Sequence, residues 1–163
     1  MAGNDNYIQL KKNEDVLTLK IRDEEGNETG EFLQFDLTDI ELPIIYQELI
    51  EKDKKARMDL NNQLIIIDKK QDHKGKKLLS SKEEARVKAT LDFFRKEEEI
   101  YNMFLGKDGV KKLLNGNKLS LSYLDLIDEI ISKQILPQLK INAENINTKI
   151  KKKYSAKKDD VIE

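Results

Sequence analysis

The sequence predicts an α+β fold, mostly α: an N-terminal β-hairpin or small antiparallel sheet, then a helical bundle of three long helices and one short one. Three observations carry this expectation. Apolar residues alternate with polar ones up to Leu37, as along a half-buried strand, and thereafter recur at spacings of three and four, as on one face of a helix. The stretch from Leu91 to Leu139 holds three of the five Phe and two of the five Tyr, so the best-packed core is expected there. Gly106, Gly109 and Gly116 divide that stretch into a helix end, a short connecting helix and the start of another helix, because Gly closes helices in the left-handed conformation.

The strands come first. Tyr7-Ile8-Gln9-Leu10, Val16-Leu17-Thr18-Leu19-Lys20-Ile21 and Phe32-Leu33-Gln34-Phe35-Asp36-Leu37 alternate with period two. Between the last two, Asp23 to Gly30 contains Gly26-Asn27 and Thr29-Gly30, so residues 16–22 and 31–36 are expected to form a hairpin. A lone hairpin is marginal in water, which calls for Tyr7–Leu10 as a third strand, a covering helix or another subunit.

A helix N-cap follows at Thr38 or Asp39, with Glu41 and Pro43 in the first turn. Leu42, Ile45, Leu49, Ala56, Leu60, Leu64 and Ile67 then mark one long amphipathic helix, interrupted by Asp53; its charged middle, Glu51 to Arg57, reads as solvent-exposed. Residues 69–80 form a basic loop. Ser81-Lys82-Glu83-Glu84 reads as a capping box opening the second helix, whose stripe is Val87, Leu91, Phe94, Tyr101 and Phe104 or Leu105, with Phe93 and Ile100 widening it. Ser120 or Ser122 caps a third long helix carrying Leu124, Ile127, Ile131, Ile135 and Leu139, with Pro137 expected to kink or end it near Leu136. Residues 1–148 are expected to form a single domain. Residues 149–163, with six Lys, form a tail expected to be disordered.

Composition excludes several chemistries. The chain lacks Cys and has one His, His73, which removes disulfides, thiol catalysis and His-based triads or zinc cages. No run approaches the ~20 apolar residues needed to cross a bilayer. The N-terminus Met1-Ala2-Gly3-Asn4-Asp5 lacks the features of a secretion signal, so a cytoplasmic protein is expected. The net charge of −1 hides an asymmetry: residues 1–50 hold 4 basic and 12 acidic side chains, net −8, whereas residues 51–100 and 101–163 are net +3 and +4.

No catalytic, cofactor-binding or metal-binding residue is assigned from the sequence. Gly106-Lys107-Asp108-Gly109 matches the GxxG loop with which KH domains clamp nucleic acid, but those loops are flanked by strands and this one by helical patterns. Lys74-Gly75-Lys76-Lys77 and the Lys-rich tail offer phosphate contacts without interleaved aromatics, and a solvated loop and tail are the simpler reading. No GxxxxGK[ST] phosphate loop is present. Asp125, Asp128 and Glu129 share a polar helical face, His73 reads as exposed, and Glu97-Glu98-Glu99 reads as a solvated run.

The central residues also resemble a known family. An aromatic-rich helix ending in Tyr101-x-x-Phe104-Leu105-Gly106, a Gly at 109, Leu113-Leu114-Asn115-Gly116 and a long Leu/Ile helix after it are similar to the tail assembly chaperones of long-tailed phages and prophages of Gram-positive bacteria. Phe35-Asp36-Leu37 followed by Asp39 and Tyr46 matches the upstream order. The resemblance spans about residues 30–140. It implies a non-enzymatic protein in the host cytoplasm that binds the tape measure protein and assists assembly of the tail tube around it, with the tail tube protein as a further partner and no cofactor. Two other readings stand beside it: a nucleic-acid-binding accessory protein using the basic loop and tail, and a structural homo-oligomeric helical protein.

Overall fold

The computed structural model describes residues 6–12 and 14–155. Strands β1 (Val16–Arg22) and β2 (Glu28–Asp36) pair antiparallel with Val16 opposite Asp36 and Lys20 opposite Phe32, and a bulge follows Lys20. The turn is closed by Asp23, whose Oδ1 accepts the N–H groups of Glu25 at 3.0 Å and Asn27 at 2.9 Å. Thr29-Gly30 lies inside β2, not in the turn, and the Thr29 hydroxyl donates to the Ile21 carbonyl at 3.1 Å across the bulge. The sheet has two strands. Residues Tyr7–Leu10 adopt no strand, contrary to the expected third one.

The hairpin is stabilised by helices. Ile21, Leu33 and Phe35 turn inward, and the Phe35 ring meets Phe104 at 5.3 Å between centroids, with Tyr46 edge-on to Phe104 at 5.6 Å. Leu124, Ile127 and Ile135 complete the core, which is continuous from Ile21 to Leu139. The central stretch therefore does supply the packing centre. Such aromatic contacts add roughly 1 kcal/mol each beyond their buried area.

Helix α1 (Leu42–Asp68) and α2 (Ser81–Leu105) form a long antiparallel hairpin, with Asp68 beside Lys82 and Arg86 at its far end. Neither Thr38 nor Asp39 caps α1. Asp39 instead accepts the Glu41 N–H at 2.9 Å, and the helix opens one turn later with Pro43 in its first turn. The capping box of α2 is shifted by one residue: Ser80 accepts from the Glu83 N–H at 3.2 Å and Glu83 accepts from the Ser80 N–H at 3.3 Å. Ser81 serves the loop, its hydroxyl accepting the His73 N–H at 3.0 Å.

After α2, Gly106 and Asp108 take positive φ and reverse the chain into α3 (Gly109–Leu113), whose Val110 N–H is held by the Asn102 side chain at 2.9 Å. Helices flank this Gly-x-x-Gly on both sides, which removes the KH geometry. A Cβ on Gly109 would lie 2.6 Å from the Leu105 Cβ, an atom fixed to its own backbone. Gly109→Ala should therefore destabilise the fold by about 1–3 kcal/mol in a denaturant titration.

The last helix is continuous in three parts: α4 (Leu121–Ile130), a π-helical turn Ile131–Ile135, and α5 (Leu136–Tyr154). Pro137 does not end it; the helix runs on past it, with a π-helical turn just before. Its missing N–H and bulky ring are accommodated by widening the preceding turn, where the Leu136 N–H bonds the Ile131 carbonyl five residues back. Ser120 is the cap, accepting the Tyr123 N–H at 3.2 Å. Residues 149–154, expected to be disordered, are helical. The rest of the expected tail, residues 156–163, and the N-terminal residues 1–5 lie outside the described residues.

Candidate functional site

Two features of the α1–α2 hairpin are of functional interest, one buried and one open. The buried side chains of α2 are Ala89, Phe93, Glu97, Tyr101, Phe104 and Leu105, and apart from Phe104 they recur every four residues, which places a carboxyl among apolar neighbours. Glu97 is fully buried, not part of a solvated run, because it sits in phase with Phe93 and Tyr101, whereas Val87 and Leu91 face solvent and Phe94 is only half-buried. Asp53, the interruption of the α1 stripe, is its counterpart. No N–H or O–H of the protein reaches either Glu97 oxygen, so the bond open to this group is donation of its own proton to Asp53. Burial first, and then the bond to Asp53, pushes the Glu97 carboxyl up to about 9.

The network extends outward from there. Asp53 receives the Arg57 Nε at 2.9 Å one helical turn on, and the same guanidinium reaches Asp128 of α4 at 3.6 Å. The Tyr101 hydroxyl donates to Asp128. Burial, reinforced by Asp128, holds the Tyr101 proton well above the ordinary phenol range. Burial of Arg57 opposes its charge, but the bond to Asp53 together with the attraction of Asp53 and its other neighbours outweighs this, and the guanidinium stays charged. Two carboxylates thus share one guanidinium and two protonated partners, which ties α1, α2 and α4 together. A cavity of about 250 Å³ adjoins the network, lined by Tyr46, Leu49, Ile50, Asp53, Tyr101, Asp128, Ile131 and Ser132. Its carboxylates already have partners, so the arrangement acts as a clamp between helices.

The open feature is a groove of about 490 Å³ along the α1–α2 surface. Ala56, Ile100 and Met103 give it an apolar floor; Lys52, Lys55, Asp59, Lys96 and Glu99 line its rim, and the Lys52 ammonium lies 3.4 Å from the Met103 sulfur. Its floor forms because the small Ala56 side chain leaves room between the helices. Further apolar side chains stay exposed on the same hairpin: Ile44, Ile50, Met58, Ile65 and Ile66 on α1, Val87 and Leu91 on α2.

The other sequence candidates do not converge. Asp128 joins the clamp, Glu129 pairs with Lys133 at 2.5 Å on the same helix, and Asp125 is exposed. Among the described residues no group of three or more His, Asp or Glu side chains could hold a metal ion. His73 and Lys74 to Lys77 lie in the exposed loop 69–80, which Asp72 anchors by accepting the Lys82 N–H at 3.1 Å. Asp53 and Glu97 were missed as a pair. The signal available was that each is an acid in phase with an apolar stripe. Among the described residues no helix is long and apolar enough to cross a membrane.

No family model, curated protein or solved structure matches the chain.

Proposed function

We propose that this protein is a non-catalytic assembly chaperone that binds an amphipathic helix of a partner protein along the α1–α2 hairpin. In the setting that the resemblance implies, the partner is the tape measure protein of a long-tailed phage, held until the tail tube assembles around it. The observation that carries the reading is the open groove on the α1–α2 surface, with Ala56, Ile100 and Met103 as its apolar floor. An apolar floor between two adjacent helices suits a partner that brings its own apolar stripe. The mixed rim of three Lys, one Asp and one Glu suits a client helix with both signs of charge on its flanks.

The test is co-expression with a long helical client of the tape-measure type. The client's solubility should rise, and the complex should persist at high salt, because buried apolar area is insensitive to screening while phosphate contacts weaken steeply with salt. Deletion of residues 151–163 should leave the complex intact. A complex that dissolves on adding salt or on losing those residues, together with affinity for nucleic acid, would favour the accessory-protein reading instead.

A further inference from the structure

The N-terminal segment and the hairpin present complementary deficits. Tyr7, Ile8 and Leu10 are 86%, 98% and 90% exposed, a cluster of large apolar side chains held in water. Gln9 to Lys12, with Glu14 and Asp15, line an open recess of about 710 Å³, and the segment makes no strand on the sheet of its own chain. At the same time, among the described residues, β1 has β2 as its only hydrogen-bonded strand neighbour and its outer edge is open, whereas β2 is flanked by α3.

The ladder parity says which groups the open edge offers. The Leu37 N–H bonds the Asp15 carbonyl at 2.9 Å, so residues 15, 17 and 19 bond across to β2 and the backbone groups of Thr18 and Lys20 point outward. Leu17 and Leu19 turn their side chains to the core side, while Thr18 and Lys20 face solvent. A strand laid antiparallel on this edge with Gln9 opposite Thr18 would put Ile8 beside Leu19 and Leu10 beside Leu17. The apolar face of the sheet would then extend by two side chains, with Tyr7 and Gln9 on the polar side. The same register sets Lys12 opposite Asp15, with Lys11 and Glu14 alongside, so opposite charges meet at the end of the added strand.

We propose that residues Tyr7–Leu10 of one copy add as a third strand to the β1 edge of a second copy, and reciprocally, giving a strand-exchanged homodimer. Both halves of the contact sit on every chain, so a two-fold arrangement satisfies both edges and closes the assembly at two. It also adds a third strand to a hairpin that has only two, beyond the support its helices already give. The surface is separate from the α1–α2 groove, so the dimer leaves the proposed client site open.

The experiment is light scattering coupled to size exclusion on the full chain and on a chain lacking residues 1–12, with helical circular dichroism as the control for folding. The full chain should run at twice the chain mass at high micromolar concentration, and the shortened chain at one chain mass with its helical signal kept. Ile8→Asp with Leu10→Asp should have the same effect as the deletion. Because the chain has no Cys, Gln9→Cys with Thr18→Cys gives a second readout. Air oxidation should produce a dimer reversible by thiol, in higher yield than either single Cys variant gives. A full chain at one chain mass, a shortened chain that still dimerises, or a disulfide closed within one chain would each overturn the proposal.

Discussion

Replacing Glu97 with Gln should stabilise the fold at about pH 8 and flatten its stability profile between roughly pH 5 and 9. Glu97 is fully buried, its oxygens receive no hydrogen bond from the protein, and its carboxyl is pushed up to about 9 by burial and Asp53. The sign follows from proton counting. Between the ordinary carboxyl value of 4.5 and about 9 the folded chain keeps the Glu97 proton and the unfolded chain has released it. Stability from this group is thus complete at acid pH and is lost as pH rises, by up to about 1.4 kcal/mol per pH unit, until the folded chain also ionises. The Gln amide can donate to Asp53 without a proton to lose. The parent and Glu97→Gln chains should melt together near pH 5 and diverge as pH rises, with the variant higher. The charged groups that face Glu97, namely Asp53, Arg57 and Asp128, are the same in both chains, so the divergence reports on Glu97 itself. Parallel profiles for the two chains would contradict this account of the clamp.

Phe104→Ala should cost about 3–5 kcal/mol, the largest effect expected from a purely apolar substitution here. Its ring lies between Phe35 of the hairpin and Tyr46 of α1, so truncation opens a void where the sheet meets both long helices. Neighbours on two different elements, β2 and α1, cannot both move in to fill it. Urea titration should show a lower midpoint with an unchanged slope, the mark of lost stability without a change in exposed surface. A midpoint unmoved within error would mean that the hairpin does not depend on this contact.

Much of the architecture was legible because its causes are local. The change of period at Leu37 separates sheet from helices, and the glycines at 106, 109 and 116 mark the reversal between α2 and α4, since backbone conformation there depends on the absence of a Cβ. What was not legible depended on phase and on competition. Two stripes can be drawn on α2, one through Val87, Leu91, Phe94 and Tyr101 and one through Ala89, Phe93, Glu97 and Tyr101, and hydrophobicity alone favours the first. The second wins because Glu97 can shed its charge, and because Asp53, Arg57 and Asp128, from elements distant in sequence, meet it. Pro137 misled for a related reason. A single π turn absorbs a residue that would otherwise break the ladder, and nothing in the local pattern announces it. The groove follows from the small Ala56 side chain between two helices, a matter of packing that one stripe read alone does not reveal.

The most direct test of the proposed function is hydrogen–deuterium exchange on the complex with a helical tape-measure-type client. Slowed exchange should follow the groove, across residues 52–59 of α1 and 96–103 of α2. Protection confined to the loop at residues 69–80 and to the Lys-rich end of α5, with the groove unchanged, would contradict the account and point to a polyanionic partner.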